Sequence, residues 1–220
     1  MSLTFMTPEN WPLKNHLPSI ANNYCFQLWE KYKFHIKITA PRKSKLGDYR
    51  FRVHKSHLIT INNNLNPYAF LIVYLHEVAH CATTIKHGLG TKPHGPFWQY
   101  EMKSVVNPLL EIETFPQDIE EALISYLEAP RAASCAHPSL TRALGRYDPP
   151  SSLVALEQIS EGEEFLFQTK QFRKEKVRRT RVFCLELSMN RTYLISRLAQ
   201  VQPLGNSKNN GNSKNNRLID

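Results

Sequence analysis

The chain has 220 residues, 41% hydrophobic and 10% aromatic, with a formal charge of +9 and a pI near 9.4. Such a chain can bury a core, which excludes a disordered or fibrous protein, and its length suits one domain plus a smaller appendage. No run approaches the roughly 20 uninterrupted apolar residues of a membrane helix, and the start, MSLTFMTPENWPLKNHLP, lacks the charged lead and apolar core of a signal peptide. A cytoplasmic location without a membrane partner is therefore expected. Cys25, Cys81, Cys135 and Cys184 stand singly along the chain, the usage of reduced thiols, so no disulfide is expected. The positive excess favours polyanionic partners over a merely solvated surface only if it is concentrated somewhere.

After a lead over residues 1–16, Ile20, Tyr24, Leu28 and Trp29 recur at helical spacing. FHIKITA then alternates like a strand, Gly47 and Asp48 in RKSKLGDYR read as turn residues, and FRVHKSHLITIN resumes the alternation, which predicts antiparallel strands over 34–62. Asn66-Pro67, a cap followed by the one helical position that favours proline, announces a helix running to about His87. Gly88 and Gly90 stop it, Pro93 blocks an immediate restart, and Gly95-Pro96 opens a further helix through PFWQYEMKSVV. DIEEALISYLEA is the next. Beyond Pro149-Pro150 the pattern turns to β in EEFLFQ, RTRVFCLELS and RTYLISRLAQV, so the chain divides into an α+β domain over 17–150 and a small β-domain over 151–204. GNSKNNGNSKNN repeats six polar residues that have nothing to bury, which predicts a disordered tail over 205–220.

The helix ending at His87 carries the chemistry. His76 and His80 lie four apart, so both imidazoles leave one face about a turn apart and can reach a single Zn²⁺ at about 2.0 to 2.1 Å. In an H-E-x-x-H arrangement the glutamate, here Glu77, takes a proton from water that the metal acidifies, which is the chemistry of peptide hydrolysis. A catalytic zinc wants a third protein ligand and an open fourth position. His87 shares the stripe but sits roughly 10 Å beyond His80 along a continuous helix, at about 1.5 Å per residue. His94 is reachable, because the six residues from Gly88 to Pro93 can span up to about 20 Å and reverse the chain. Glu101 on the next helix is the alternative and would make a His₂Glu site. His54 and His57 read as surface residues of the strand region.

HEVAH followed by HGPFW, preceded by RKSKLGDYR and LITINNNL, resembles the SprT-like metallopeptidase family, the SprT/Spartan group, over roughly residues 17–130. The resemblance implies a zincin-like domain with helices packed on a small antiparallel sheet, one zinc held by His76, His80 and His94, and Glu77 as catalytic base. Bacterial members often carry a zinc ribbon with two cysteine pairs in their C-terminal part. This chain has no C-x-x-C pair, so that ribbon is degenerate, and Cys135, His137 and Cys184 offer only scattered ligands for a second metal.

QFRKEKVRRTR sets Lys170, Arg173, Lys174, Lys176, Arg178, Arg179 and Arg181 around one acidic residue, Glu175, and predicts a basic β-ribbon. Such a ribbon tracks phosphates with little sequence preference. Arg42, Arg50 and Arg52 are candidate extensions of that surface. The resemblance implies action near DNA, so the function expected is a zinc endopeptidase recruited to nucleic acid, DNA more than RNA, that cleaves DNA-bound or DNA-crosslinked protein as a cytoplasmic, nucleoid-associated monomer. A non-catalytic zinc-containing nucleic-acid or transcription-associated factor is the alternative.

Overall fold

The computed structural model describes residues 7–42, 44–52, 55–128, 130 and 137–204; His54, Cys135 and the expected tail 205–220 lie outside them. Two compact units divide at Met1–Pro149 and Pro150–Asp220.

The first unit is α+β. Its described helices are α1 (Asn22–Tyr32), α2 (Pro67–His87), α3 (Pro96–Glu111), α4 (Gln117–Glu128) and α5 (Pro138–Gly145), with strands β1 (His35–Thr39), β2 (Gly47–Arg52) and β3 (Lys55–Asn62). α2 is apolar on nearly every face, the composition of a helix surrounded by protein, and every residue from Ala69 to Thr83 except His80 is buried. Its length and composition would also allow it to cross a membrane, but 78% of that window is buried inside the protein, as in a core helix. At its start the Asn66 side chain accepts a hydrogen bond from the Ala69 N–H at 2.9 Å, with Pro67 at the first helical position. At its end Gly88 takes φ 81°, a conformation that costs glycine nothing, and closes on the Thr84 carbonyl at 3.0 Å.

One expectation from the sequence is corrected by the structure, and two features lie beyond it. The sheet is mixed rather than antiparallel: its order is β1-β3-β2, with β1 parallel and β2 antiparallel to β3. β2 itself serves as the crossover that parallel neighbours require, and alternation within a strand fixes its faces but not its partner. The lead over residues 1–16 contributes to the core: Trp11 and Leu13 are buried, and Trp11 packs edge-on against Phe26 and Tyr74. Lastly, α5 adds a helix that the sequence pattern does not announce. It buries Leu140, Ala143 and Leu144 and ties back to the start of α2 through Asn66 Nδ2, which donates to the Leu144 carbonyl at 3.0 Å.

The second unit holds β4 (Val154–Ala155), β5 (Glu164–Phe167), β6 (Lys170–Val177), β7 (Arg181–Glu186), β8 (Arg191–Ser196) and β9 (Gln200–Pro203) in an antiparallel sheet of order β4-β9-β5-β6-β7-β8. Its core is Leu156, Ile159, Phe165, Phe172, Val182, Cys184, Ile195 and Val201. Residues 150–204 contain nine Lys and Arg against six Glu, a surplus of +3, while residues 1–149 carry +4. The chain's charge is thus not gathered in the β unit, and only its local placement can make a binding surface.

Candidate metal centre

α2 sets His76 and His80 on one face, and the loop after Gly88 brings back His94. That reversal closes on a turn in which Gly95 N–H donates to the Lys92 carbonyl at 3.0 Å, and His94 itself adopts φ 57°. Left-handed backbone at a residue other than glycine is strained and tends to persist where function needs it. Gly95 is required by contact rather than by conformation, because a Cβ there would lie 2.9 Å from the Lys92 oxygen.

The three Nε2 atoms form a nearly equilateral triangle with sides of 3.2 Å (His76–His80), 3.0 Å (His80–His94) and 3.2 Å (His76–His94). Three nitrogens at about 2.0 to 2.1 Å from a tetrahedral zinc stand roughly 3.3 Å apart, so the donor set fits this metal. Burial, with the neighbouring imidazoles adding to it, pushes His76 down to about 2 and His80 to about 4, and burial lowers His94. All three rings are therefore neutral at pH 7, the state that ligation requires. The fully buried Trp98 ring packs against all three at centroid distances of 4.7, 5.3 and 4.7 Å, and its Nε1 donates to the His76 carbonyl at 3.4 Å.

Glu77 faces β2, an edge strand. The Tyr49 backbone amide stands near enough to favour its charged form. Burial pushes the Glu77 carboxyl up to about 8, with Asp48 acting the same way against Arg42, the Tyr49 N–H and Lys45. A metal's charge acts in the opposite direction and favours the carboxylate. Tyr49 stacks parallel to the His80 ring at 6.2 Å, and its hydroxyl oxygen is 2.7 Å from His57 Nδ1. His57 is accordingly half-buried against Tyr49 rather than a fully exposed surface residue. A cleft of about 470 Å³ opens over the triad, lined among others by Lys45, Gly47, Tyr49, Leu89, Lys92 and Trp98.

Other candidate ligands are engaged elsewhere. His87 stacks on Phe97 at 4.2 Å with Nε2 3.6 Å from Glu101, and the buried Glu101 carboxylate pairs with Lys86 at 2.7 Å. Neither joins the triad, which is the metal-ligand group found among the described residues. His137 Nδ1 is 3.0 Å from Ser139 Oγ, and Cys25, Cys81 and Cys184 are free and buried.

Of the basic candidates, Lys176, Arg178, Arg179 and Arg181 are exposed at the β6–β7 hairpin, with the Arg178 guanidinium over the Phe183 ring at 4.6 Å. Lys174 is not on that surface. Only 3% exposed, it turns its ammonium inward to donate to the carbonyls of Leu156 (3.1 Å), Glu157 (3.4 Å) and Ile159. The ladder shifts register between Lys174 and Val177, which a uniform alternation does not anticipate. Arg173 is half-buried and bound to Glu175 at 2.9 Å. Arg42 bonds Asn62 and Thr60 at 2.8 and 2.9 Å and so braces the sheet, whereas Arg50 is exposed and pairs with Asp48 on its own strand; the Arg52 side chain lies outside the described residues.

Sequence reasoning alone misses the site's walls, Trp98, Tyr49 and Gly47. A lone glycine within a strand pattern signals a close backbone approach as well as a turn, and that signal is present at Gly47. Searches of curated proteins and of solved structures return no match to this chain. The family model of the SprT-like family matches residues 15–119, a span containing His76, Glu77, His80 and His94, and the domain formed by those residues belongs to the SprT-like family.

Proposed function

We propose that this protein is a zinc-dependent endopeptidase of the zincin type that acts on proteins bound or crosslinked to DNA. The convergence of three neutral imidazoles beside an open cleft, with Glu77 against its wall, carries the hydrolytic part. His76, His80 and His94 would hold a zinc, which when bound would supply Lewis acidity and lower the pKa of water. The protein's own residues do the rest. Trp98 holds the imidazoles in place, β2 lies against the Glu77 carboxylate at Gly47, and Glu77 takes the proton from water and returns it to the leaving amine.

Recruitment rests on the exposed cations of the β6–β7 hairpin, Lys176, Arg178, Arg179 and Arg181, for which no carboxylate partner occurs among the described residues. Four cations on one hairpin suit a phosphate backbone, with counterion release as the driving force. The reading includes a monomeric protein in the cytoplasm, associated with nucleoid DNA. The test is incubation of the purified protein with a DNA-crosslinked protein and with the same protein free, each with and without chelator. Chelator-sensitive cleavage that is faster on the crosslinked form is expected. Equal rates on the two forms would remove recruitment, and absence of chelator-sensitive cleavage of either would leave the non-catalytic alternative.

A further inference from the structure

We infer that Gly47 is a positioning residue for Glu77, present because any side chain at that place in β2 would displace the carboxylate from the cleft wall. A Cβ built on Gly47 would lie 2.5 Å from Glu77 Oε1, 2.9 Å from Glu77 Cγ and 2.6 Å from Val73 Cγ1, closer than real Cβ contacts come. The backbone at Gly47 is extended strand without positive φ, so its conformation does not call for glycine. Glycine in a strand gives up packing and entropy, and the compensation here is contact. With no Cβ between them, the edge strand lies directly on the carboxylate, and the Tyr49 amide two residues on favours its charged form. Gly47 thus fixes the side-to-side place of the base that α2 carries. A methyl group at Gly47 must move the carboxylate by roughly 0.5 to 1 Å, and misplacement of that order costs about 10²-fold in rate.

The catalytic consequence rests on the peptidase reading; the packing of strand against carboxylate does not, so the test has two arms. In metal-free protein, thermal unfolding of the parent, Gly47→Ala, Glu77→Ala and the double variant forms a cycle. Gly47→Ala should lower the midpoint by at least about 4 °C more when Glu77 is present than when it is absent. Equal drops in the two backgrounds overturn the proposal. In zinc-loaded protein, Gly47→Ala should keep one zinc and a KM within about twofold while kcat falls about 10- to 100-fold; unchanged kcat overturns it. If Gly47→Ala fails to fold, Gly47→Ala/Val73→Ala relieves the clash that does not involve Glu77. Folding regained with kcat still low supports the assignment, and kcat restored transfers the effect to Val73. A parent that hydrolyses nothing counts against the peptidase reading, and the unfolding cycle then decides on Gly47 alone.

Discussion

Two pairs of basic residues make an instructive comparison. His76 and His80 are four apart on α2 and lie side by side with Nε2 atoms 3.2 Å apart. Lys174 and Lys176 are two apart on β6, a spacing that puts regular strand residues on one face, yet Lys174 is buried under three carbonyls and Lys176 is exposed. A helix closes its hydrogen bonds within itself, so its face-to-face geometry is written in the local sequence. A strand takes its geometry from partners elsewhere in the chain, and one register shift re-aims everything beyond it. The helix pair is therefore a legible site, and the strand pair is half structure and half surface.

The helical half of the comparison breaks most visibly when a ligand is removed. His94→Ala should lower zinc affinity by well over the roughly 10- to 100-fold typical of deleting a hydrogen-bond partner behind a ligand, whereas His87→Ala should leave it nearly unchanged. Zinc titration of the two variants against a chromophoric chelator checks this, and equal reductions would overturn the triad. The strand half breaks through Lys174. Replacing it with Met removes the ammonium that the Leu156, Glu157 and Ile159 carbonyls share and should cost about 3 kcal/mol in denaturant unfolding. Nucleic-acid affinity of the folded variant should match the parent, and a specific drop in affinity would return Lys174 to the surface.

Protons sharpen the comparison further. His76 and His80 titrate in the folded state at about 2 and about 4, below the ordinary 6.5, so the unfolded chain takes up protons first as pH falls. Their contribution is complete above pH 6.5 and is lost below it, at about 1.4 kcal/mol per pH unit for each imidazole that stays neutral. Glu77, raised to about 8, has the opposite sign between its ordinary value near 4.5 and pH 8, so its contribution fades as pH rises through that window. Metal-free Glu77→Gln should accordingly lose stability more steeply than the parent between pH 6.5 and 5. Parallel curves would contradict the burial of these groups. The smallest effect belongs to the hairpin. Changing Arg178, Arg179 and Arg181 to Gln should flatten the log–log salt dependence of DNA binding by about 0.7 to 0.9 for each phosphate that is no longer neutralised. An unaltered slope would make the hairpin a solvated face.

What the sequence discloses follows the same division. Asn66-Pro67, the apolar run of α2 and the H-E-x-x-H spacing are local signals, and the helix ends at His87 as they predict. The return of His94 is legible too, because loop reach and two glycines bound it, although its left-handed backbone is not. The parallel pairing of β1 with β3 and the core role of Trp11 depend on long-range packing, which leaves no mark on spacing. Gly47 is the middle case. Its sequence context points to a turn and the structure puts it in a strand, since a glycine placed for close approach looks in sequence like one placed for a turn.

The most direct measurement is parallel assay of the parent and Glu77→Gln for proteolysis and for bound zinc. The amide is nearly isosteric and leaves all three histidines in place, but it cannot accept the proton from water, and general-base catalysis contributes about 10² to 10⁴ in rate. A fall in proteolysis by at least that lower factor, with one zinc per chain retained in both proteins, is the predicted result. Cleavage by Glu77→Gln at the parent's rate would contradict the assignment of Glu77 as the base.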